Sequence, residues 1–231
     1  MFHRLIRSRR VVASVLALTA LLTTGIVWGT QSLAGPAPVE AAGAAHVRWD
    51  IISVPNFAPL TVEPGGIAYA LAGTTHKIKF TGSGTFVAPA GGSGSSSATK
   101  GGGTWETFDA AGSSTGSGTY KVTGLVRWEL ANLQAATFGG LPVVDHIGDT
   151  NERANGYALL QIKYSDGTRG TLLVGCHGPG APDGIFEGVT ATKGYVTYWI
   201  PETPPPPTGE DKNRTIFHLS VGGDDDSDDD D

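Results

Sequence analysis

GYALLQIKYSDGTRGTLLVGC, residues 156–176, places two apolar runs on either side of Asp166-Gly167. An Asp-Gly pair accepts the positive φ angles of a tight primed turn, so the segment reads as a β-hairpin. Side chains alternate between the faces of a strand. Ala158, Leu160, Ile162 and Tyr164 therefore share one face, while Gln161 and Lys163 point the other way. With a two-residue loop at Asp166-Gly167, Ile162 is expected opposite Thr171, Leu160 opposite Leu173 and Ala158 opposite Gly175.

The same period of two recurs outward from this hairpin, and no long stretch shows apolar spacing of three and four. Strands are predicted at 46–54, 66–72, 76–88, 103–109, 118–131, 156–165, 170–176, 186–194, 195–200 and 214–221. About ten strands at this spacing predict an all-β fold, an antiparallel β-sandwich of jelly-roll-like or Greek-key form. A second hairpin is expected at Thr192-Lys193-Gly194, where the glycine supplies the turn. TGSGTFVA (81–88) returns as TGSGTYKV (115–122), and GGTWET (102–107) shares its Gly-Thr-aromatic core. The β-rich content excludes a helical repeat of that period. Three neighbouring strands that each send an aromatic into the core account for it. Of the tryptophans, Trp49, Trp105 and Trp128 sit on strands and read as core, and the 195–199 segment has room for one exposed aromatic.

GGSGSSSATKGGG (91–103) has the composition of a mobile surface loop. Four consecutive prolines in PETPPPPTGEDKN (201–213) favour a stiff connector that leads into the last strand. The ends differ from this body. Residues 1–34 combine a basic head (Arg4, Arg7, Arg9, Arg10) with an uncharged apolar stretch, the pattern of an export signal or an uncleaved membrane anchor. SRRVV partly matches a twin-arginine signal. Residues 35–45 form a spacer, 46–222 one β domain and 223–231 a disordered Asp-rich tail. The expected location is therefore the cell envelope or the exterior, with membrane contact only through an uncleaved leader.

Formal net charge is −6, but it is concentrated at the ends. Removing four leader arginines from 16 basic residues, and Glu40 with seven tail aspartates from 22 acidic ones, leaves 12 against 14. Such a body shows no basic run in its sequence, which argues against nucleic acid as a partner.

The lone cysteine, Cys176, stands beside His177. If the strand runs through both, thiol and imidazole leave from opposite faces and cannot act as nucleophile and base, which must approach to about 3 Å. Cys176 then reads as a small buried hydrophobe. His177 at the strand end can still act with Asp183 or Glu187 of the following loop, and these three are the candidate catalytic residues. Asp145, His146, Asp149 and Glu152 form the other polar cluster. Its oxygen-rich chemistry makes a divalent cation the one cofactor worth considering. The spacing lacks that of an EF-hand, however, and Asp149 or Thr150 can instead cap a short helical turn. Asp50, Glu106, Asp109 and Glu129 lie on strands as potential paired carboxylates. No nucleophile elbow, P-loop, zinc-protease or dinucleotide motif is present. The sequence thus points to an exported, non-catalytic module that binds a ligand or protein partner through loops 91–103, 139–155 and 177–185. An extracellular hydrolase with a carboxylate–histidine site, with or without a metal, is the alternative.

Overall fold

The decisive hairpin forms, with a loop one residue longer than expected. In the computed structural model, which describes residues 44–89, 93–206 and 211–221, the Tyr164 amide donates to the Thr168 carbonyl at 2.9 Å. Ser165, Asp166 and Gly167 form the loop, and Gly167 takes the left-handed conformation at φ 89°. A three-residue loop closed by a left-handed glycine is the common alternative to a two-residue turn. Asp166 favours it by accepting from the amide and the hydroxyl of Thr168 at 3.0 and 2.7 Å. The register therefore pairs Ile162 with Gly170, Leu160 with Leu172 and Ala158 with Val174. This corrects the expected partners by one residue and turns the other face of the second strand inward. Leu172, Val174 and Cys176 are fully buried beside Ala158 and Leu160.

Chain order begins β1 (Ala45–Phe57), β2 (Leu60–Pro64), β3 (Ala68–Ala72), β4 (His76–Phe80), β5 (Ser83–Val87), β6 (Ser93–Ser96), β7 (Thr99–Phe108) and β8 (Ser114–Leu133). The short β9 (Thr137–Phe138), β10 (Leu141–Pro142) and β11 (Val144–Asp145) precede a 3₁₀ turn at Thr150–Glu152. The remaining strands are β12 (Arg153–Tyr164), β13 (Arg169–Cys176), β14 (Gly188–Lys193), β15 (Val196–Tyr198), β16 (Ile200–Pro201) and β17 (Arg214–Val221). The predicted strand 76–88 breaks into β4 and β5. The 91–103 segment, read from composition as a mobile loop, instead contributes β6 and the start of β7. The predicted leader, the spacer up to residue 43 and the acidic tail lie outside the described residues.

The fold is all-β and antiparallel except for one short parallel pair, β2 with β11. Two stacked sheets were expected, but one 15-stranded sheet curls on itself. Six strands close a ring in the order β1–β5–β7–β8–β12–β17. Alternation along a strand is the same whether a sheet faces a partner or its own far side, so the sequence pattern does not separate the two. The long strands serve two neighbours in turn. β12 leaves β17 after Ala154 and continues beside β13, and β7 passes from β5 to β4. The β13–β14–β15 arm and the β4–β3–β16 arm extend the barrel from these forks.

The barrel core contains Trp49, Phe80, Phe86, Trp105, Tyr120, Trp128, Leu160 and Phe217. Phe86 and Tyr120 occupy equivalent places in the internal repeat, and with Trp105 they enter the core from adjacent strands. Phe86 and Phe217 both meet Trp128 edge-on, with ring centroids 5.4 and 4.7 Å away. In β1, Val47, Trp49 and Ile51 face this core, whereas Ile52 and Val54 face a second, smaller cluster with Leu60, Val62, Val143 and Ile216. The continuous apolar run of β1 is thus explained by burial on both faces.

Closure brings backbones closer than side chains allow. A Cβ on Gly103 would lie 2.0 Å from the Thr81 carbonyl oxygen. Gly103→Ala is expected to destabilise the fold by at least about 2 kcal/mol, the upper range of overpacking, because backbone rather than a flexible side chain must yield. Urea unfolding of the variant checks this.

Candidate functional site

β13 ends at Cys176, and the chain leaves the barrel through His177, Gly178, Pro179 and Gly180. Cys176 has no solvent exposure, whereas His177 is exposed. The thiol receives a contact from Gln134 Nε2 at 3.2 Å, and burial raises its pKa well above that of a free thiol. His177 turns to the other side, where its Nδ1 donates to the Ile185 carbonyl at 2.8 Å. That bond leaves Nε2 as the acceptor of the neutral ring. A thiol in this state is inert. Cys176 is expected to react with a disulfide reagent only as the chain unfolds, which timed labelling in native buffer and in urea will measure.

The loop is tied down on both sides. Pro179 accepts from the Ala135 amide at 2.9 Å, Gly180 from Asn132 Nδ2 at 2.7 Å, and Asn155 Oδ1 from the Gly178 amide at 2.7 Å. Glu187 closes the other side, with one oxygen accepting from the His177 amide and the second from the Thr215 amide at 2.6 Å. Behind the loop, Arg153 is fully buried and donates to Thr150 O, Gln134 Oε1 and Ala135 O at 3.0, 3.3 and 2.9 Å. Burial lowers its pKa against the attraction of Asp145. Its role is to hold the 134–135 and 150 segments together.

A cavity of about 350 Å³ opens between this loop and the β1–β2 hairpin. Its apolar wall is the second cluster: Ile52, Val54, Leu60, Val62 and Ile216, with Phe57 and Phe138 at the side. His177, Glu187, Arg153 and Arg214 supply the polar positions. Arg214 lies with its guanidinium carbon 4.7 Å from the Phe57 ring centroid and donates from Nη2 to Pro205 O at 2.6 Å. Its Nε is buried and has no hydrogen-bond partner among the described residues. Of the sequence candidates, His177 and Glu187 meet here, while Asp183 is exposed on the loop and does not line the cavity. Arg153, Arg214 and Phe57 escaped sequence reasoning. A single arginine opening an apolar strand at 214 was the one visible cue.

The Asp145–Glu152 segment goes to separate partners. Asp145 Oδ2 pairs with His218 Nε2 at 2.9 Å, and Oδ1 accepts from the Ile147 and Gly148 amides at 2.9 and 3.3 Å. Burial raises its pKa, but these bonds outweigh that and hold it below the ordinary value. His146 pairs with Glu63 at 2.6 Å. Asp149 caps the 3₁₀ turn through the Asn151 amide at 2.7 Å, and Glu152 ends that turn. Among the described residues no group of three or more His, Cys, Asp or Glu side chains is placed to hold a metal ion. The strand carboxylates are also engaged: Asp50 with Arg48, Glu106 with Lys79 and Glu129 with Arg127, while Asp109 caps a turn through the Ala111 and Ser113 amides. Three of the four body tryptophans are buried, and Trp199 is exposed together with Tyr195.

No known protein family, curated protein or solved structure matches this chain.

Burial pushes the Glu187 pKa up to about 7, against the hydrogen bonds from His177 and Thr215 and the attraction of Arg214. The folded chain then binds this proton more tightly than the unfolded one. Stability from Glu187 is full below the ordinary pKa of 4.5 and is lost as pH rises through about 7. The loss is at most about 3 kcal/mol. Asp166 acts in the opposite sense. Hydrogen bonds from Lys193 and Thr168 outweigh its desolvation and take its pKa to about 2, so its contribution is present above 3.8 and lost as pH falls towards 2. Stability from urea unfolding is expected to peak near about pH 4.5 and decline towards pH 8. Glu187→Gln should flatten that decline.

Proposed function

We propose that the chain is an exported, non-catalytic β module that holds a small, mainly apolar ligand bearing an acceptor group in the cavity beside His177–Gly180. One observation carries this reading. A concave apolar wall is combined with the guanidinium of Arg214, whose Nε has no acceptor among the described residues. A cavity of about 350 Å³ lies at the lower end of small-molecule sites, which are mainly apolar with a few fixed polar groups. Arg214 keeps its charge at any ordinary pH, so its guanidinium would attract an acidic head group while the apolar body covers Ile52, Val54 and Ile216. Loops 133–140 and 177–180 frame the opening, in keeping with function placed on loops over a rigid sheet. The exported location rests on the basic–apolar leader, and the tail and any membrane anchorage belong to the same reading of the ends. N-terminal sequencing of the mature protein tests the location.

The binding test uses anilinonaphthalene sulfonate, a fluorescent apolar anion, titrated onto the native protein. Saturable enhancement is expected, weakened by about tenfold in Arg214→Met, the order of one charge-assisted hydrogen bond. Absence of saturable binding, or equal affinity in Arg214→Met, would overturn the assignment. Hydrolysis by a carboxylate–histidine site is a second reading, favoured by the elevated Glu187 pKa at the cavity wall. Both Glu187 oxygens are occupied by backbone amides, which suits a fixed staple better than a proton shuttle. A hydrolase would show turnover abolished by Glu187→Gln.

A further inference from the structure

Three cations that are distant in sequence become neighbours on the barrel's outer surface. Lys121 on β8 stands directly opposite Lys163 on β12, and Lys163 stands directly opposite Arg169 on β13. Directly paired residues project from the same face. The flanking pairs confirm the orientation, since Val122 with Ile162 and Tyr120 with Tyr164 are buried while all three cations are exposed. At strand spacings of about 4.8 Å the row spans roughly 10 Å. Among the described residues none of the three forms an ion pair. Asp166, on the loop between β12 and β13, is engaged by Lys193 and Thr168.

Like charges directly opposite each other across strands are destabilising, and here two such pairs occur in succession. A local conflict without compensation among the described residues is expected at functional positions. The row also borders a groove of about 370 Å³, shared by Lys121, Lys163, Thr119, Thr123 and Ser165. Ser165 Oγ accepts from the Thr119 amide at 3.1 Å, which leaves its hydroxyl hydrogen to donate. Cations with hydroxyl donors between them match an oxyanion with several charged oxygens. The sequence shows no basic run because positions 121, 163 and 169 are brought together by sheet pairing alone. Three cations also fall short of the six to ten phosphate contacts of a duplex-binding surface.

We infer that the Lys121–Lys163–Arg169 row is a binding site for an extended oxyanion, a chain of phosphate or sulfate groups carried by an external ligand. This site is separate from the cavity beside His177 and stands whether or not that cavity binds a ligand.

Tripolyphosphate, titrated calorimetrically at low ionic strength onto the full chain, is the probe. Saturable binding is expected that weakens as salt is raised. Lys163→Gln should reduce the affinity by at least about fivefold, whereas Lys77→Gln, on β4 opposite the far end of β7 from the row, should leave it unchanged. Without the anion, Lys163→Gln should melt no lower than the parent at low salt, because it removes both like-charge contacts. Affinity that is equal in Lys163→Gln and the parent would overturn the assignment, as would a parent that does not bind. Deletion of 223–231 should leave the affinity unchanged. A gain on deletion would mean that the chain's own aspartates occupy the row, and would overturn an external ligand.

Discussion

The bond from the Tyr164 amide to the Thr168 carbonyl determines which half of β13 faces the barrel. With Ser165, Asp166 and Gly167 in the loop, the even-numbered residues of β13 turn inward, so Leu172, Val174 and Cys176 complete the core. The strand then ends with the thiol sealed and His177 released to the surface. A loop one residue shorter would have placed Leu173 inside and the cysteine outside. The chemistry available at the end of β13 therefore follows from a turn that ends nine residues before Cys176. The same register places Arg169 beside Lys163, so the cationic row depends on it too.

Around this hairpin the structure divides its burial between two apolar bodies. The large core holds the aromatics, and the small cluster lies outside β1 and β17, beneath the β1–β2 hairpin. The cavity forms where the small cluster ends and the 177–180 loop crosses it. Its polar groups are held from behind by hydrogen bonds: Arg153 by three acceptors, and Glu187 by two backbone amides. Such fixing suits a site whose shape exists before anything enters it.

Most strand positions and inward faces were legible in the sequence because alternation survives along much of the long strands, as in the Ala158–Tyr164 part of β12. Ala158, Leu160, Ile162 and Tyr164 share the buried face as read, and Phe86, Trp105 and Tyr120 enter from neighbouring strands. Closure into a ring was not legible, since it depends on long strands changing partners at Ala154 and Gly103. The Gly/Ser run at 91–103 misled for a related reason. Small residues there allow strands to approach closely, although their composition resembles that of a linker. Of the site, His177 and Glu187 were visible as polar residues beside a strand end. Arg153 and Arg214 were not, because their roles come from contacts across 18 or more positions or from a neighbouring hairpin.

Ring closure also bears on self-association. A strand at the margin of an open sheet offers unpaired amides and carbonyls to any passing extended chain. Each of the six ring strands has a neighbour on both sides, so this invitation is withdrawn where they pair, and the sheet margins are left to the short β15 and β16. With one cysteine and hence no internal crosslink, the barrel relies on backbone pairing both to hold its shape and to decline foreign strands.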